Sequence, residues 1–254
     1  MPTTKIVYHE AYLTDYPTAS VERPQRVEVI HKELSSHDYS FVTPQPADEL
    51  DVLLVHYPSL VQAEKRDHDR YEVALLAAGG SILSAQIAMD GVPAFGLVRP
   101  PGHHASPGTN WGFCFFNNMA VAIQRLILKR QIKRAVILDI DLHFGDGTEN
   151  YFMGRRDVSV VNVQSSDRLE FLAQCQDGLT RNAPYDIIGV SAGFDRYVKD
   201  WGSTLLTEDY GSIGRMVKEF SQKHCSGRRF ALLEGGYYFP DLGLNTRTLI
   251  EGME

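Results

Sequence analysis

Asp139, Asp141 and His143 stand at every second position in LDIDLHFGDGT, with Asp146 close behind, where an apolar run ends. In extended backbone, residues two apart share a side, so all three would point the same way. Two carboxylates and an imidazole gathered without a cation disturb one another's ionisation, and a divalent ion removes that penalty. Asp141 and His143 are the natural ligand pair. Asp195, in SAGFD, completes an Asp/His/Asp set that leaves a position for water, the arrangement of a catalytic rather than a structural site. Such donors suit zinc, and also iron(II), cobalt or manganese. Without Asp195, the same stretch reads as an Asp139 strand cap and a His143 packed in a turn.

Two further stretches could supply proton transfer. In RPPGHHA, His103 and His104 follow a Pro-Pro-Gly turn that would hold them rigidly. A buried histidine is commonly just a hydrogen-bonded core residue. Backed by an aspartate it has a fixed tautomer and acts as base or acid near neutral pH, and Asp139 and Asp146 are available. Such a pair could deprotonate a water and protonate a leaving amine. In EGGY, Gly235 and Gly236 permit a tight turn, from which the Tyr237 hydroxyl could serve as an oxyanion donor. Taken singly, Gly-Gly-Tyr is equally a packed turn.

These residues need elements that bring them together. Apolar runs at 5–8, 93–98, 134–141, 158–164, 185–193 and 228–236 read as strands without alternation, as expected of a parallel sheet covered on both faces. Helical patterns fill 23–36, entered through Pro24, 71–90, 117–130 and 207–224. The stretch 48–65 reads as two short helices broken at Pro58. The 71–90 helix is apolar over much of its circumference and should be buried, with Gly79 and Gly80 allowing close packing. The expected architecture is a three-layer α/β/α sandwich in one domain over 1–254. In such sheets ligands bind beyond the carboxyl ends of the strands, and RPPGHHA, DIDLHFGDG, SAGFD and EGGY each follow a strand.

Bulk properties narrow the partners. A net charge of −7 argues against binding through phosphate neutralisation, so no direct nucleic-acid partner is expected. Lys129, Arg130, Lys133 and Arg134 read as the solvated end of a helix. Cys114, Cys175 and Cys225 include no CxxC pair and suggest reduced thiols. No secretory signal is visible and no apolar segment approaches bilayer length, so a cytoplasmic protein without membrane contact is expected.

Taken in order, ERPQR (22–26), RPPGHHA, GFCFFNN, VILDIDLHFGDGT, SAGFD and EGGY resemble the histone deacetylase family, which includes acetylpolyamine amidohydrolases and acetoin-utilisation proteins. The motifs run from Glu22 to Tyr237. The resemblance implies an arginase/deacetylase-like fold and a zinc-dependent amide hydrolase acting on an acylated amine or acyl-lysine. Zinc would be held by Asp141, His143 and Asp195. His103 and His104 would be backed by Asp139 and Asp146 respectively, Tyr237 would polarise the acyl carbonyl, and Gly112 and Phe113 would line the substrate channel. It also implies a potassium ion near Asp139, Asp141, His143 and the Asn162–Val163 stretch.

The chain departs from the family pattern in several places. Phe144 replaces a second histidine, and Asn162 a serine. Two loops are short: AEKRDHDR leaves Asp67 or Asp69 as the only rim aspartates, and 168–184 leaves Phe171 as the candidate second channel wall. A more open site, or one completed by a second copy of the chain in a homo-oligomer, follows. Gly202 stands where polyamine-selective members carry glutamate, which disfavours acetylpolyamines. Two other readings remain open: a binuclear-manganese ureohydrolase of arginase type, using Asp146, and a catalytically silent relative that binds acylated ligands.

Overall fold

The six expected strands join a seventh, unexpected one (40–42) in a single sheet. In the computed structural model, which describes residues 3–254, they are β1 (Lys5–Val7), β2 (Ser40–Val42), β3 (Ala94–Gly96), β4 (Ala135–Asp139), β5 (Val158–Asn162), β6 (Ile187–Ala192) and β7 (Arg229–Leu233). All pair in parallel, in the order β2-β1-β3-β7-β6-β4-β5. The four central strands, β3, β7, β6 and β4, are buried throughout, which is why their sequences show no alternation.

The register decides where the chemistry goes. Gly96, Leu232, Ser191, Asp139 and Asn162 lie in one row across β3, β7, β6, β4 and β5. Neighbouring strands therefore end at one level, and the loops that follow open onto one edge. The chain switches from β3 to β4 across two intervening strands, which places this edge where strand order reverses.

The helices are α1 (Gln25–Ser35), α2 (Glu49–Val52), α3 (Pro58–Glu64), α4 (His68–Met89), α5 (Asn118–Leu128), α6 (Asp146–Phe152), α7 (Arg168–Arg181), α8 (Thr207–His224) and α9 (Phe239–Met253). On one face α4 packs along β1, β3 and β7 and against α5. On the other, α1, α9, α8 and α7 follow one another, with α8 on β6 and β7 and α7 on β4. The result is the three-layer α/β/α sandwich.

Local signals account for several boundaries. Pro58 breaks 48–65 by opening α3. Helix α4 begins before the expected 71 because the Asp67 side chain caps it, accepting from Arg70 N–H at 3.2 Å. A Cβ on Gly79 would strike the carbonyl of Gln45, so this glycine is what lets α4 lie against the 44–47 backbone. One expectation fails: α4 is long and apolar enough to cross a bilayer. Its residues are mostly buried against the sheet and α5, as in a core helix.

Candidate active site

The expected ligands meet, though by turns and not by an extended strand. Asp139 ends β4, and the chain then bends through 141–143. Side chains shape that bend by accepting main-chain bonds. Asp139 Oδ1 takes Asp141 N–H (3.0 Å), Asp141 Oδ1 takes His143 N–H (2.9 Å), and Asp195 Oδ1 takes Leu142 N–H (2.9 Å). Gly235 N–H donates to Asp141 Oδ2 at 2.8 Å. A Cβ on Gly193 or Gly235 would run into this carboxylate, and one on Gly235 into Asp195 as well.

One ligand atom each from Asp141, His143 and Asp195 lies within 4.8 Å of the others. His143 Nδ1 stands 3.3 Å from Asp141 Oδ1 and 3.1 Å from Asp195 Oδ2. Asp195 Oδ2 is buried and, despite that proximity, has no hydrogen-bond partner. An orphaned carboxylate oxygen beside a second carboxylate and an imidazole fits a divalent ion. The charges say the same: the adjacent carboxylates of Asp141 and Asp195 raise His143 to about 10. Burial and then the Asp141 charge raise Asp195 to about 7.

The tandem histidines differ in charge. His103 Nδ1 lies 3.0 Å from Asp139 Oδ2, and its Nε2 is 3.8 Å from Asp141 Oδ1. Burial disfavours its charged form, but Asp141 and then Asp139 outweigh burial and hold its pKa well above the usual range. His104 Nδ1 lies 2.6 Å from Asp146 Oδ1. Burial and then the neighbouring His103 charge lower it to about 4. One imidazole is thus cationic and the other neutral at pH 7, a split that suits separate roles.

Both histidines open onto a cavity of about 110 Å³ that is also lined by Trp111, Gly112, Phe113, Asp141, His143, Trp201, Gly235 and Tyr237. Gly112 has φ +60, and its missing Cβ leaves room for the His104 ring. Phe113 is also left-handed, at φ 68, a strained setting for an aromatic residue that aims its ring across the cavity. Burial pushes the Tyr237 hydroxyl up, so it is protonated and able to donate. Asp200 Oδ2 holds its turn by accepting Tyr237 N–H (2.6 Å) and Tyr238 N–H (2.8 Å).

Several expectations need correction. Phe171 is fully buried on α7, stacked under the Arg196 guanidinium at 4.8 Å, and takes no part in the cavity. The second wall is Trp201, whose ring stacks on Tyr237 at 4.2 Å and meets His143 edge-on. Asp67 caps a helix, and Asp69 lines a separate groove with His9 and Gln45, so neither sits at the rim. Asn162 Oδ1 accepts Gly145 N–H at 2.9 Å and its amide nitrogen reaches Glu149 at 3.4 Å. Phe144 is exposed beside the site, and Gly202 is tucked against the Asp195–Arg196 backbone with no room for a side chain.

Three participants went unread in the sequence. Trp111 stacks on His104 at 3.9 Å and donates Nε1–H to Asp146 Oδ2 at 2.9 Å. Trp201 forms the second wall, stacked on Tyr237. The third is a buried network in which Glu22 binds Arg99 (2.8 Å) and Arg26 (3.3 Å). Arg26 in turn donates to the Gly236 carbonyl (2.8 Å) and the Glu234 carbonyl. The only signal for it was the presence of Glu22, Arg26 and Arg99 in the motifs themselves.

Comparison with known proteins agrees with this geometry. The histone deacetylase domain model matches residues 20–171. A probable deacetylase of Archaeoglobus fulgidus is 31% identical over 92% of this chain and 81% of its own. The acetylpolyamine amidohydrolase of Mycoplana ramosa is 33% identical over 72% of this chain and 63% of its own. The crystal structure of the HDA15 HD domain superimposes with a TM-score of 0.86 over 98% of this chain and 88% of that one, at 23% identity, and so shares the fold. Matched motifs, fold and relatives place the chain in the histone deacetylase family of hydrolases.

Proposed function

We propose that the protein is a zinc-dependent deacetylase that removes an acetyl or short acyl group from an acylated amine such as acetyl-lysine. The observation that carries this reading is the convergence of Asp141, His143 and an unpartnered Asp195 oxygen beside a neutral and a charged histidine. When bound, zinc would supply a Lewis acid and a more acidic water. His104, neutral and with Nδ1 turned to Asp146, takes a proton at Nε2 and can return it to the departing amine. His103, its Nδ1 turned to Asp139, would hold a proton that balances the negative charge developing at the attacked carbonyl. Tyr237 donates to the acyl oxygen. Phe113, Trp111 and Trp201 flank the acyl group and limit water.

The arginase-like alternative needs bridging carboxylates for a second ion. Asp146 instead serves His104 and Trp111, and Asp139 serves His103. A second trio within ligand reach, His103, Cys114 and Glu234, is fully buried, and Glu234 Oε2 already accepts Gly102 and His103 N–H. About one transition-metal ion per chain, and hydroxamate-sensitive hydrolysis of an acetyl-lysine peptide that is abolished by a chelator, are the expected results. Two ions per chain, or no hydrolysis with zinc bound, would favour the ureohydrolase or the silent relative. Among the described residues no free carboxylate is placed at the mouth, since Asp200 is committed to main-chain N–H groups and position 202 is glycine. In a competition assay, acetyl-lysine peptides should therefore outpace acetylpolyamines.

A further inference from the structure

Beneath the three ligands lies a guanidinium in an unusual setting. Arg196 directly follows Asp195 and is 2% exposed. Buried arginines are normally paired with a carboxylate, yet its hydrogen bonds go only to main-chain oxygens. Nε donates to the Asp141 carbonyl (3.1 Å), Nη1 to Ser165 (3.1 Å), and Nη2 to Leu142 (3.3 Å) and Val163 (2.9 Å). The Phe171 ring covers one face. Four carbonyl oxygens thus surround one buried guanidinium, and groups of backbone carbonyls are also what replaces the hydration shell of a monovalent cation. Two of the four belong to the 141–143 bend that carries two ligands, and two to the loop after β5.

We propose that Arg196 is a fixed internal cation: a positioning residue that occupies a carbonyl cage and so replaces a free monovalent ion beneath the metal centre. It ties the two loops together and places a permanent positive charge beside three buried aspartates, Asp139, Asp141 and Asp195. Because the charge is covalently held, order at the ligands does not depend on which salt is present. Removing the side chain leaves four inward-facing carbonyls around a space the size of a guanidinium group, and a small cation can enter it. The proposal rests on the metal reading above.

The test compares zinc affinity, by chelator competition, and melting temperature in potassium, sodium and tetramethylammonium chloride at equal ionic strength. The wild type should give the same values in all three salts. Arg196→Ala should bind zinc roughly 10- to 100-fold more weakly in tetramethylammonium chloride, the range for losing a group that orients a ligand. Potassium, or millimolar guanidinium chloride, should restore most of that affinity. A potassium-selective gain in the wild type would overturn the proposal. So would an Arg196→Ala protein that is equally weakened, or equally unfolded, in every salt. A wild type that binds no zinc at all would instead sink the metal reading, and the melting temperatures in the three salts would still judge Arg196.

Discussion

At the scale of single residues, the site is a set of protons waiting to be displaced. With His143 raised to about 10 and Asp195 to about 7, a neutral solution leaves both at least partly protonated when no ion is bound. Zinc takes only the deprotonated forms, so binding must release protons. The sign follows: affinity rises with pH below about 10, by roughly tenfold per unit for each proton released. Calorimetric titration of zinc at pH 7 in buffers of different ionisation enthalpy should show release of one proton or more. Release of none would mean that these side chains are not the ligands. Tyr237 acts at a different step. Its hydroxyl makes no hydrogen bond among the described residues, its turn is held through its N–H by Asp200, and its ring is held by Trp201. Tyr237→Phe should therefore keep zinc binding and lower kcat by about 100-fold or more. An undiminished kcat would remove it from the mechanism.

At the scale of elements, Glu22 joins parts of the chain that no periodicity connects. Its carboxylate holds Arg26, at the start of α1, and Arg99, in the loop after β3, and all three are essentially unexposed. Through Arg26 it also fixes the carbonyls of the Glu234–Gly236 turn. Glu22→Gln would leave two buried guanidinium groups without a counter-charge, a change that costs about 3–5 kcal/mol. Urea unfolding should show a loss of that size, whereas a change below about 1 kcal/mol would mean that the arginines do not need the charge. Elements and site residues were legible in the sequence to different degrees. The central strands were readable because burial on both faces makes them unbroken apolar runs, and Asp141, His143 and Asp195 because their types declare their chemistry. Strand β2 is three residues long, lies at the sheet edge with one residue exposed, and leaves almost no pattern. Helix α7 keeps only Phe171, Cys175, Gly178 and Leu179 buried among polar residues, so it read as a loop. Trp201 and Arg196 were missed because their roles depend on the path of the chain after Asp195. That path folds back on itself, with Gly202 N–H donating to the Asp195 carbonyl at 2.7 Å.

At the scale of the whole molecule, the sheet presents its ligand edge through loops whose aromatic side chains surround the cavity mouth. Trp111, Phe144 and Trp201 are about half exposed around it, at 54%, 46% and 51%. Such an apolar rim can receive a substrate's alkyl chain or a second copy of the chain. Within one chain the cavity already has Phe113 on one side, Trp201 stacked on Tyr237 on the other, and Trp111 over His104. If one chain completes the site, turnover per chain should stay constant as the protein is diluted through any dissociation that light scattering detects. Trp201→Ala should then raise KM for an acetyl-lysine peptide, because it removes a wall that contacts substrate in the ground state and the transition state alike. A fall in turnover on dilution would show instead that the partner supplies part of the site. In that case Trp201→Ala should weaken association as well as binding, since the exposed face of the same ring would lie at the contact between copies.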